Sequence, residues 1–121
     1  MFKGFILSES LNNADILNDY KQLYVKIEKH NDPKYPKFWH LFKLSIPEDK
    51  IDVVAKKISN NIKNEWYAHF WNKNKVCIIF QNKIFWIPRE KQWSSKKYKE
   101  VVNYAVKACV EKRYLDFLIE D

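Results

Sequence analysis

Three histidines, His30, His40 and His69, are the side chains of this chain best suited to proton chemistry near neutral pH. His69 stands in the run Glu65-Trp66-Tyr67-Ala68-His69-Phe70-Trp71. Strand alternation there places Glu65, Tyr67, His69 and Trp71 on one face and Trp66, Ala68 and Phe70 on the other. A histidine with a tyrosine or a carboxylate on the same face could supply acid and base groups. A lone strand histidine is more often a polar edge residue. His40 alternates onto an apolar face as a hydrogen-bonded core residue, and His30 sits at a strand end beside a turn. No two histidines have zinc-motif spacing, neither Cys77 nor Cys109 has a Cys-x-x-Cys partner, and the one glycine cannot build a phosphate loop. No Gly-x-Ser-x-Gly elbow occurs. No catalytic residue, metal or cofactor is therefore assigned, and a small acid/base enzyme using His69 and Tyr67 is an alternative reading.

The favoured reading is a binding or interaction module. The run Phe38 to Ile46 alternates Phe38, His40, Phe42, Leu44 and Ile46 against Trp39, Leu41, Lys43 and Ser45. If helices cover the face with Phe42, Leu44, Trp66, Ala68 and Phe70, then Trp39, Lys43, Tyr67, His69 and Trp71 share the other, which becomes an open aromatic surface. These five are the candidate binding residues. So large an aromatic patch calls for a cover: a second copy in a homodimer, a ligand, or the chain's own N-terminal strands, proline loop or tail.

A second alternative is single-stranded nucleic acid, stacked on those rings with Lys34, Lys37, Lys43 and Lys73 at the phosphates. The net charge of +7 invites it. Against it, 20 of the 22 basic residues are lysine in a chain rich in Asn, Ile and Tyr, a pattern of A·T-rich codons. Only Arg89 and Arg113 offer the planar fork that grips phosphate or guanine. Lys75 to Phe80 also lacks the glycine and second aromatic of an RNA-recognition strand.

The elements that position these residues follow from periodicity. Phe2 to Leu7 reads as a strand with Gly4 at a bend or close backbone approach. Leu11 to Leu17 reads as one or two helical turns. Tyr20 to His30 reads as a half-buried strand with Leu23, Val25 and Ile27 on one face, and Asn31 to Lys37, with two prolines, as a loop. Ser45, Pro47 and Glu48 start a helix whose stripe is Ile51, Val54, Ala55, Ile58 and Ile62. Glu65 to Ile87 reads as a three-stranded meander. Ser94 caps a second helix, Trp93 staples to Tyr98, and Tyr98, Val101, Val102, Ala105 and Cys109 form its stripe. Leu115, Phe117 and Leu118 pack a tail or short edge strand. Cys77 and Cys109 read as small core hydrophobes.

At 121 residues with 46% apolar content the chain suits one domain. The expected fold class is α+β: an antiparallel sheet with two main helices on one face, ferredoxin-like from about residue 38, with extra N-terminal strands. The longest apolar run is about five residues, Val76 to Phe80, too short to cross a bilayer, and no signal-peptide core precedes Ser8-Glu9-Ser10. No membrane partner is expected, and cytoplasmic residence is. Gly4-Phe5-Ile6-Leu7-Ser8-Glu9-Ser10-Leu11, Glu65-Trp66-Tyr67-Ala68 and the Val76 to Phe80 strand with its Asn82-Lys83 turn resemble a family of small uncharacterised bacterial and archaeal proteins of unknown function. That resemblance implies a fold and no activity.

Overall fold

The computed structural model describes residues 1–91, 96–115, 117 and 119–121. Six strands, β1 (Phe2–Leu7), β2 (Lys21–Lys29), β3 (Phe38–Ile46), β4 (Ala68–Trp71), β5 (Lys75–Phe80) and β6 (Lys83–Pro88), form one sheet in the order β2-β3-β1-β4-β5-β6. Every neighbouring pair is antiparallel. Helix α1 (Ile51–Ser59) links β3 to β4 and helix α2 (Lys96–Lys107) follows β6. Because β1 runs between β3 and β4, those two strands are parallel to each other, and β3-α1-β4 is a split β-α-β unit.

Alternation along each strand separates two cores. On the first face, Phe2, Ile6, Leu44, Ile46, Phe70 and Cys77 pack under Ile51, Val54, Ala55 and Ile58 of α1. On the second, Phe5, Trp71, Val76, Ile78, Phe80 and Ile87 pack under Val101 and Ala105 of α2 and under Val110, Leu115 and Phe117 beyond it. The expectation that both helices share one face is thus not met. The reason lies in β5 and β6: Val76 to Phe80 is apolar on both faces, and so is Ile84 to Ile87, so each face needs its own cover. No strand follows α2 among the described residues. Coverage of the aromatic face is nevertheless real, and it comes from within the chain.

Central strand β1 is the tightest part of the sheet. A Cβ on Gly4 would stand 2.2 Å from Phe70 Cδ1 and 2.4 Å from the carbonyl oxygen of His69, so Gly4 lets the Phe70 ring lie across the neighbouring backbone. Turn residues behave as their types predict: Asn82 closes the β5–β6 hairpin at φ 58. Beside the sheet, Leu11 bridges Ile62, a 3₁₀ segment at Ala14–Asp19 overlaps the helical turns expected over Leu11 to Leu17, and a further one stands at Ser8–Ser10.

Three further expectations need correction. β2 is an edge strand, not a half-buried one: Val25 and Ile27 are exposed, and Lys21, Lys26 and Lys29 discourage another chain from adding there. Val102 is half-buried, whereas Val54, Ile58, Phe70 and Ile78 are in the core. Cys77 is buried, its thiol pushed up to about 12 by desolvation, but Cys109 is exposed because α2 ends at Lys107 and Cys109 takes φ 65 in the turn beyond. Trp93, Ser94 and Leu118 lie outside the described residues. No helix among the described residues is long and apolar enough to cross a membrane.

Two substitutions test this core. Gly4→Ala should lower the unfolding free energy by about 1–3 kcal/mol or more, since the clash is with backbone. Ile58→Ala should lower it by roughly 2–4 kcal/mol through lost burial and a cavity. Urea denaturation measures both, and a neutral result at either position contradicts the packing described.

Candidate binding site

Where β1 and β2 end and β3 and β4 begin, the second face is not filled. A cavity of about 240 Å³ opens there. Phe5, Leu7 and Leu41 line it from β1 and β3, and His69 and Val110 from β4 and the segment after α2. Its aromatic lining is Tyr35, Trp39, Trp66, Tyr67 and Tyr114, and its charged lining is Glu28 and Glu65.

Local structure explains each position. Asp32 accepts from the amides of Lys34 and Tyr35, closing a turn in the proline loop that presents the Tyr35 ring. The loop is then tied to the chain beyond α2: Lys34 pairs with Glu111 at 3.7 Å, and burial followed by the hydrogen bond to Glu111 pushes the Tyr35 hydroxyl up to about 12. Glu65 takes φ 74, so regular alternation begins only at Ala68. This carries Trp66 to the rings of Trp39 and Tyr35, at 5.4 and 5.7 Å between centroids, both edge to face. Tyr114 ends a 3₁₀ turn at Lys112–Tyr114, its ring centroid 5.4 Å from that of Trp39, and its carbonyl accepts from the Tyr67 hydroxyl. Outside this cluster the His30 imidazole stacks on Trp39 at 3.6 Å, with Glu28 3.9 Å from its Nε2. Trp39 is held by ring contacts: its Nε1 is buried without a hydrogen-bond partner among the described residues.

Of the five candidate binding residues, the structure brings Trp39, Tyr67 and His69 to the cavity. Lys43 and Trp71 lie elsewhere on the same face, under the chain's last residues. Lys43 is 6% exposed; its Nζ donates to the Glu120 carbonyl at 2.7 Å and to Glu120 Oε1 at 3.3 Å. Trp71 is 1% exposed, and its Nε1 donates to Asp121 Oδ1 at 3.0 Å. Arg89 also pairs with Asp121, and Tyr24 donates to Glu120. Lys43 and Trp71 therefore serve as anchors for the tail.

Sequence reasoning missed Tyr35, Trp66, Tyr114 and Glu28. Glu28 could have been found by pairing Tyr20–His30 with Phe38–Ile46, which sets Glu28 opposite Trp39. Tyr35 and Tyr114 sit in irregular segments with no periodicity to read. His40 is hydrogen-bonded as expected, but it is half-exposed rather than in the core: its ring Nδ1 is 2.8 Å from Glu9 Oε2, and its amide donates to Oε1 at 2.6 Å. Among the described residues no group of His, Cys, Asp and Glu could hold a metal. Comparison with family models, with curated proteins and with solved structures finds no match to this chain.

Three carboxyls tie loops to the sheet, and all are depressed. Burial acts to raise Glu9, but its bonds from His40 and Ser8 outweigh it. Glu120 is lowered by Tyr24 and then Lys43, and Asp121 by Arg89 and then Trp71. Groups depressed in the folded state stabilise it above their ordinary values and lose that contribution as pH falls through the folded ones. Stability should accordingly fall as pH drops below the ordinary 4.5 of Glu9 and Glu120 and 3.8 of Asp121. Asp121→Asn should flatten part of this fall in thermal melts recorded against pH; an unchanged slope contradicts the Arg89 and Trp71 contacts.

Proposed function

We propose that this chain is a binding module whose aromatic cavity receives one small, mostly apolar head group. The observation that carries the reading is the aromatic-lined gap of about 240 Å³ left where the helix-covered and tail-covered parts of the sheet meet the proline loop. At about 240 Å³ it falls just below the roughly 300–1,000 Å³ of sites for larger ligands, which suits a head group or a single side chain.

Acid/base chemistry is less well supported. Tyr67 spends its hydroxyl proton on a backbone carbonyl, and His69 is packed among Phe5, Trp71, Tyr67 and Phe117. The single-stranded nucleic-acid reading is weakened by the loss of Lys43 to the tail and by carboxylates where phosphates would approach. Submicromolar binding of generic single-stranded RNA at physiological salt would restore it. A homodimer is not part of this reading. A cytoplasmic setting, where thiols persist, suits the free Cys77 and Cys109.

The experiment is an NMR screen of small amines, alcohols and aromatic hydrocarbons. Hits should shift the indole signals of Trp39 and Trp66, and Trp66→Ala should weaken them by about tenfold while leaving the circular dichroism spectrum intact. Hits that map away from the cavity, or that survive Trp66→Ala unchanged, contradict the proposal.

A further inference from the structure

The cavity offers its guest acceptors and almost no donors. Its rings present negative π faces, and the charged side chains that line it, Glu28 and Glu65, are both acidic. In a chain of net charge +7 this is a local reversal of sign: no lysine or arginine is among the lining residues. Two of the tyrosine hydroxyls nearby are spent, that of Tyr67 on the Tyr114 carbonyl and that of Tyr35 on Glu111. An anionic guest would meet two carboxylates and no lysine or arginine among the lining residues. A neutral polar guest would leave its own acceptors unpaired, at the usual desolvation cost.

A cation suits the site on both counts. Aromatic faces attract positive charge, more strongly when water is excluded, and a carboxylate adds to that field. Two of the lining rings already hold the chain's own basic groups: Lys34 Nζ lies 5.4 Å from the Tyr35 centroid, and the imidazole of His30 stacks on Trp39. Among cations, a primary ammonium carries three N–H donors that each require an acceptor, whereas a fully methylated ammonium carries none and presents methyl groups to the rings. Glu28 and Glu65 are the carboxylates among the described lining residues, and a fully methylated ion brings no N–H donor that they must satisfy.

Resting on the binding-module reading above, we infer that the Tyr35–Trp39–Trp66–Tyr114 cluster, with Glu28 and Glu65, is a site for a quaternary or methylated ammonium head group. Association is not accompanied by proton transfer or covalent change. The two carboxylates act through charge, so amidation of either keeps the cavity's shape and removes part of its field.

The test compares choline with 3,3-dimethyl-1-butanol, its neutral isostere, by calorimetry and by the indole signals of Trp39 and Trp66 at fixed ionic strength. Choline should bind at least about tenfold more tightly than the isostere. Glu65→Gln and, separately, Glu28→Gln should each weaken choline several-fold without changing the isostere. Because Glu28 lies on an exposed edge strand, the second variant remains informative if the first disturbs the turn at Glu65. Equal binding of the two probes, or carboxylate variants that leave choline unaffected, overturns the cationic assignment and leaves the module reading standing. Failure of both probes to perturb either indole in the folded protein overturns the two together.

Discussion

The close passage of Phe70 over Gly4 is the constraint on which the rest of this structure depends. β1 is the one strand hydrogen-bonded to both β3 and β4, so it joins the outer pair β2-β3 to the meander β4-β5-β6. Its Phe2 and Ile6 enter the core beneath α1, while Phe5 enters the core beneath α2. A side chain at residue 4 would push Phe70 and the His69 carbonyl away, and with them the β4 register that sets Phe5 opposite His69. Both cores and the cavity at the end of β1 therefore hang on a position where only hydrogen fits.

Around that strand the two faces are served differently. The first face is closed by a regular amphipathic helix whose stripe repeats every three or four residues. The second is closed by α2 only over β5 and β6; toward β4, β1 and β3 it is closed by irregular chain, with Val110, Leu115 and Phe117 supplying apolar contact and Glu120 and Asp121 supplying polar contact to Lys43 and Trp71. Short irregular segments cannot fill a sheet face as evenly as a helix can. The cavity lies where that patchwork meets the proline loop, and its rings come from five places in the chain.

Much of this was legible in advance because period carries the information. The six strands and both helices follow from alternation, from short apolar runs bounded by turns, or from three-and-four spacing, and Gly4 signals a close approach by being the sole glycine in an apolar strand. The face assignment was not legible: alternation says which residues share a face, but not which helix lies on it. The decisive clue was the unbroken apolar run Val76 to Phe80, which requires cover on both sides. Trp39, Tyr67 and His69 were legible as a group for the same reason as their strands. Tyr35, Trp66 and Tyr114 were not, because a proline loop, a left-handed Glu65 and a 3₁₀ turn carry no period, and contacts between distant irregular segments leave no local trace.

The sheet order also bears on how the chain reaches this state. Phe2 pairs with Ile46 and Lys3 with Trp71, so both partners of β1 lie far along the chain from it. By contrast β4-β5-β6 is a run of local hairpins that can close early. Non-local pairing of this kind raises contact order and slows folding, because a long loop must be closed before any contact rewards it. Local pairing makes the meander the part expected to form early, and β1, with its distant partners, the part expected to join late. During that interval Phe2–Leu7, apolar on both sides, is the segment a chaperone would be expected to hold.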